Sequence, residues 1–126
     1  WYVDSIRLMS EGNGWEKLKP FSPTWTEAQL RLRAEWLHTC DEEAVVCAYH
    51  AFGTQDMHAD LPSIKVPTLL MVAGKGGVIE PADIEEIKGL IPQLEVHVVP
   101  EAGHMIPWDD EEGFFKGFGN FLGTPV

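Results

Sequence analysis

The amino-acid sequence predicts an α/β protein in two parts, with helices only over residues 1–60 and a strand–helix–strand–helix unit of a parallel sheet over residues 61–126. Three observations carry that reading. The run from Val66 to Ala73 is nearly all apolar and lacks polar alternation, which suits a strand buried on both faces of a parallel sheet. The next periodic stretch, "EPADIEEIKGLI", has helical spacing, and "LEVHVV" and "DDEEGFFKGFGNFLG" repeat the change from strand to helix. Before residue 60 the periodic stretches are all helical.

The helical part opens on "WYVDSIRLM", which reads as a helix already under way from Trp1, so the chain is expected to be cut from something longer. "EGNGWEKLKPFSP" has turn chemistry and is expected to be an irregular connection. In "TWTEAQLRLRAEWLHTC" Thr24 and Glu27 stand in capping-box spacing, each able to satisfy a free backbone N–H. Trp25, Ala28, Leu32 and Trp36 form one apolar stripe and Leu30, Ala34 and Leu37 a second, so this helix is expected to be covered on two sides. "DEEAVVCAYHAFG" follows with Asp41 as N-cap, acids in the first turn and Gly53 placed to end it.

In the second part Pro81 sits in the first turn of its helix, with Ile84, Ile87 and Ile91 facing inward. The final helix places Phe114, Phe118, Phe121 and Leu122 on one face. A crossover between parallel strands is almost always right-handed. Two parallel strands are few for a free-standing sheet, which is expected to continue in residues outside this sequence.

Composition narrows the function. Twenty acidic against nine basic residues give a net charge of -11, which repels a phosphate backbone and argues against nucleic acid as a partner. The apolar runs are far shorter than the roughly 20 residues needed to span a bilayer, so no membrane partner and a soluble, cytoplasmic protein are expected. Cys40 and Cys47 are expected to be reduced packing residues. His50, Asp56, His58 and Asp60 could chemically bind a divalent cation, yet their spacing matches no ligand motif and reads as a solvated helix end and linker. Trp25, Trp36, Tyr49 and Phe52 could line a pocket, although ordinary helix packing is the plainer reading. His38 and His97 read as surface and sheet-edge residues.

The stretch "VPEAGHMIPW" raises a sharper possibility. His104 follows a parallel strand, at the sheet edge where open α/β sheets place ligands, and Gly103 lets the chain turn beside it. With a pKa near 6.5 an imidazole there can take a proton from a hydroxyl and return it to a leaving group near neutral pH.

"LPSIKVPTLLMVAGKGGVI", "EVHVVPEAGHMI" and the closing "FFKGFGNFLG" together resemble the C-terminal part of an α/β-hydrolase, over residues 61–123. Residues 1–60 look like the end of the cap that many members insert. "PTWTEAQLRLRAEWL" joined to a strand ending Ala-Gly-Lys-Gly-Gly is similar to amide-cleaving members near N-formylmaleamate deformylase.

The resemblance implies that His104 is the catalytic base and that the substrate is a small-molecule amide or ester. It implies no metal and no cofactor, and leaves the substrate-binding residues unknown. The nucleophile's G-x-S-x-G turn is missing, since Ser5, Ser10, Ser22 and Ser63 lack the flanking glycines, and no HGG-type oxyanion-hole motif is visible. Both are expected upstream, in an N-terminal half of the same protein. The family's orienting acid follows the penultimate strand, where this chain has Gly77. Glu80 and Asp83 nearby suit the first turn of a helix, so the acid is also expected upstream, or the chain is a non-catalytic binding or assembly module.

Overall fold

The computed structural model describes residues 2–124, so Trp1, at the head of the first predicted helix, lies outside the described residues. Two compact units divide the chain, Trp1–Gln55 and Asp56–Val126.

The first unit holds three helices, α1 (Tyr2–Ser10), α2 (Glu27–Leu37) and α3 (Glu42–Phe52), with a short 3-10 helix at Trp15–Leu18 in the connection expected to be irregular. The cap of α2 stands two residues later than the sequence suggested. Thr26 Oγ1 accepts from the Gln29 N–H at 3.3 Å while Gln29 Oε1 accepts from the Thr26 N–H at 2.8 Å. Both threonines satisfy the capping pattern, and burial selects between them. Starting at Thr26 puts Trp25 just before the cap and Leu30 in the fourth helical position, the two places where a hydrophobic staple closes a helix start, and both are buried.

Along α2 itself only the second apolar stripe is covered, since in the first stripe Trp25, which precedes the helix, is the one buried member. Leu30 and Leu37 are buried beside Ile6, Met9 and Leu18, whereas Leu32 is 45% and Trp36 61% exposed. Asp41 caps α3 as expected, accepting from the Ala44 N–H at 2.8 Å, and Gly53 ends it. The packing expected of Tyr49 and Phe52 is absent, because α3 buries no residue and is tied to α1 by a two-pronged Arg7–Glu42 ion pair. Cys40 and Cys47 are free thiols, and Cys47 is exposed, not a packing residue.

The second unit contains β1 (Thr68–Ala73), α4 (Pro81–Leu90), β2 (Leu94–Val99), α5 (Ile106–Asp109) and α6 (Glu111–Leu122). The strands pair in parallel from Thr68 opposite Leu94 to Ala73 opposite Val99. Pro67 has no N–H to give the ladder, so β1 starts after it and Val66 is left exposed. Full burial of the strand is also corrected: Val72 alone in β1 is buried, since among the described residues the sheet has two strands and each has one paired edge. Ile91 is buried and Ile84 and Ile87 half-buried, as the helix pattern required.

His97, read as an edge residue, lies under α6. A methyl group on Gly117 would stand 2.3 Å from His97 Cδ2, so the helix backbone runs directly over the ring. That close crossing buries Gly117 and Gly119 instead of the phenylalanines: Phe114 and Phe121 are half-buried and Leu122 is 51% exposed.

Candidate active site

Two loops leave the carboxyl ends of the paired strands and are sewn together. The Gly74 N–H donates to the Val99 carbonyl and the Lys75 N–H to the Ala102 carbonyl, each at 2.9 Å. A Cβ at Gly74 would lie 2.4 Å from the Pro100 oxygen, so glycine is what permits the contact. Lys75 and Glu101 add an exposed ion pair across the same seam. Val99 and Ala102 are completely buried at its base.

His104 stands two residues beyond Ala102 and is exposed. Its backbone nitrogen lies 3.6 Å from the place a Cβ would occupy on Gly76, so the loop after β1 runs alongside the histidine. An exposed imidazole at the carboxyl edge of a parallel sheet is suitably placed to exchange protons with a ligand there. Gly103 does not have the left-handed backbone that its turning role would suggest. Its missing side chain makes room for Asp109 instead, whose Oδ2 is 2.9 Å from where a Cβ would be.

Gly77 does adopt a left-handed conformation, φ +62°, with open space around it. Both acids nearby stand at the start of α4. Asp83 accepts from the Glu80 N–H at 2.8 Å and so closes the start of α4. Glu80 is the residue at that cap.

Of the four candidate cation-binding residues, the fold brings Asp56 and His58 together and adds Glu86. His58 Nδ1 is 2.6 Å from Asp56 Oδ1 and Nε2 is 3.3 Å from Glu86 Oε1. Hydrogen bonding to Asp56, then its charge and that of Glu86, raise the His58 pKa; the backbone N–H and the ring of His58 lower that of Asp56. His50 contacts Tyr49 edge-on instead. Among the described residues no group of three or more His, Cys, Asp or Glu is arranged to hold a metal ion, and no helix is long and apolar enough to cross a membrane.

Sequence reasoning missed two residues that the fold brings beside its candidates, Glu86 next to His58 and Asp109 next to Gly103. Glu86 carried no local signal, because helix α4 brings it to His58 from a distant part of the chain. Asp109 did carry one, an acid ending a short Pro-containing turn directly after the histidine.

Comparison with known proteins identifies the fold and its relatives. A family model described as alpha/beta hydrolase fold matches residues 22–111. N-formylmaleamate deformylase of Pseudomonas putida is 54% identical over 126 residues, covering 100% of this chain and 47% of that protein. The sn-1-specific diacylglycerol lipase ABHD11 of Mus musculus is 34% identical over 56 residues, 44% of this chain and 18% of the lipase. The crystal structure of an N-formylmaleamic acid deformylase variant from Pseudomonas putida superposes with a TM-score of 0.85 at 50% identity, over 94% of this chain and 47% of that one. E-2-(acetamidomethylene)succinate hydrolase shares the fold, with a TM-score of 0.76 at 21% identity over 87% of this chain and 44% of the other. The chain thus spans about half the length of the deformylases it matches, and with the family model covering most of its residues it belongs to the α/β-hydrolase fold family.

Proposed function

We propose that this chain is the C-terminal part of a serine-type hydrolase that cleaves an amide or ester bond of a small organic substrate, with His104 as its general base and acid. The observation that carries the proposal is the exposed His104 at the carboxyl edge of β2, beside the glycine loop of β1. In the reaction a serine from the N-terminal part attacks the carbonyl, His104 removes the hydroxyl proton, and the same imidazole protonates the leaving group as the tetrahedral intermediate collapses. Water then repeats the cycle on the acyl-enzyme. The orienting carboxylate comes from the N-terminal part, because Gly77 has no side chain and Asp83 is engaged with the Glu80 N–H.

The deformylase relative, 54% identical along the whole of this chain, supports an N-formyl amide of a small unsaturated acid as the substrate. The free thiols of Cys40 and Cys47 fit a cytoplasmic location. A second reading, a binding module without catalysis, is favoured by Gly77 alone.

The test is formate release from N-formylmaleamate by the full-length protein. His104→Ala is expected to lower kcat by several orders of magnitude, as in triads whose members act as one unit. Asp83→Asn is expected to cost less than about tenfold, whereas losing a true orienting acid costs about ten-thousandfold. Full turnover in His104→Ala would remove the base from this chain, and absence of turnover in the parent would favour the binding module.

A further inference from the structure

We propose that Asp109 is a positioning residue for His104: its carboxylate accepts from the residue after the histidine, fills the space beside the residue before it, and holds that loop in one conformation. The inference rests on the catalytic reading of His104. On the side after the histidine, Asp109 Oδ2 accepts from the Met105 N–H at 3.0 Å, while the Asp109 N–H donates back to the Met105 carbonyl at 3.0 Å. On the side before it, the same oxygen lies over Gly103, 2.9 Å from where a Cβ would stand. Further back, the Lys75 N–H anchors the Ala102 carbonyl. His104 is therefore strung between two fixed points, one supplied by the β1 loop and one by Asp109.

The anchor is needed because α5 is four residues long, Ile106–Asp109, and one helical turn does not repay the cost of ordering its own backbone. A bond from an amide to an ionised carboxylate is about twice as strong as a neutral one, which makes this acceptor well suited to closing so short a turn. The adjacent acid has a separate task. Asp110 accepts from the Gly113 N–H at 2.8 Å and starts α6. Proton transfer in acyl cleavage depends on the imidazole reaching both the nucleophile and the leaving group, and a displacement of about 1 Å can cost on the order of a hundredfold in rate.

The test is a double-mutant cycle in the full-length protein, with steady-state kinetics on N-formylmaleamate and His104→Ala as reference. Asp109→Ala is expected to lower kcat about ten- to a hundredfold with KM within about threefold. Asp109→Asn keeps a carbonyl acceptor and is expected to recover most of that loss. Gly103→Ala forces a methyl group into the space of the carboxylate and should lower kcat in the same way. Because Asp109→Ala empties that space, the double variant should be no slower than Asp109→Ala alone. Hydrogen–deuterium exchange of the peptide spanning His104 gives the same comparison without turnover, with faster exchange in Asp109→Ala and Gly103→Ala than in the parent and Asp109→Asn. If His104→Ala is inactive but Asp109→Ala keeps kcat within twofold, or the two single losses simply add, or exchange is unchanged, the positioning role is wrong while the role of His104 stands. If His104→Ala is fully active, the catalytic reading itself fails.

Discussion

Asp56 and His58 lie two residues apart, and the chain between them is bent so that one carboxylate oxygen accepts from both the backbone N–H of His58, at 2.9 Å, and its ring, at 2.6 Å. Glu86 meets the other ring nitrogen. The two pKa shifts have opposite signs and opposite pH consequences. His58 is raised above its ordinary 6.5, so the stability it contributes is present below 6.5 and is lost as pH rises through the raised folded value. Asp56 is lowered below 3.8, so its contribution is present above 3.8 and is lost as pH falls through the depressed value. Both contributions are complete only between those ordinary values. The groups are fully exposed, so the effect on global stability is small and the ring itself is the better probe. An NMR titration of His58 should give a midpoint above 6.5, moving back toward it in Asp56→Asn and in Glu86→Gln. A midpoint at or below 6.5 in the parent would show that the clasp does not form in solution. The sequence pointed to these residues as a solvated linker, which their exposure supports, but the third member arrives only through the fold.

The element that most constrains the second unit is α6, because its backbone rests on a side chain of β2. Helix propensity alone favours replacing Gly117 by Ala, by about 1 kcal/mol. Packing opposes it, since the new Cβ would be 2.3 Å from His97 Cδ2 and the ring is held in the strand. Overpacking of this kind costs typically about 1–3 kcal/mol, so the clash outweighs the propensity gain. Gly117→Ala should therefore lower the urea midpoint of the full-length protein, and His97→Ala in the same chain should restore part of the loss by removing the ring. A midpoint that rises in Gly117→Ala would mean that α6 stands farther from β2 than described. The helix was readable from its Phe-rich face and its acids in the first turn, where Asp110 caps it. Which face meets the sheet was not readable, because the phenylalanines suggested an apolar seam while the glycines provided the close approach.

At the scale of the molecule the apolar surface is unevenly used. Tyr49 is 75%, Phe52 80% and Val66 65% exposed, large side chains that a complete fold normally covers. With His104 as the one catalytic group proposed in this chain, residues 1–126 alone should not hydrolyse p-nitrophenyl acetate faster than free imidazole does, because nucleophile and oxyanion hole supply most of the rate. The same preparation should bind an apolar-surface dye such as ANS or self-associate. Saturable turnover that His104→Ala abolishes, from a monomer that does not bind the dye, would show that the chain is self-sufficient. The sequence by itself determined the order of helices and strands, the parallel βαβα unit and the place of His104 at a strand end, because hydrophobic period, caps and glycine turns are local properties of the chain. Only the tertiary structure decided that Thr26 and not Thr24 starts α2, that Gly117 and not the phenylalanines meets the sheet, and that Asp109 closes the loop of His104. Each of those outcomes depends on which atoms come within a few ångströms across the fold, a distance that spacing along the chain does not encode.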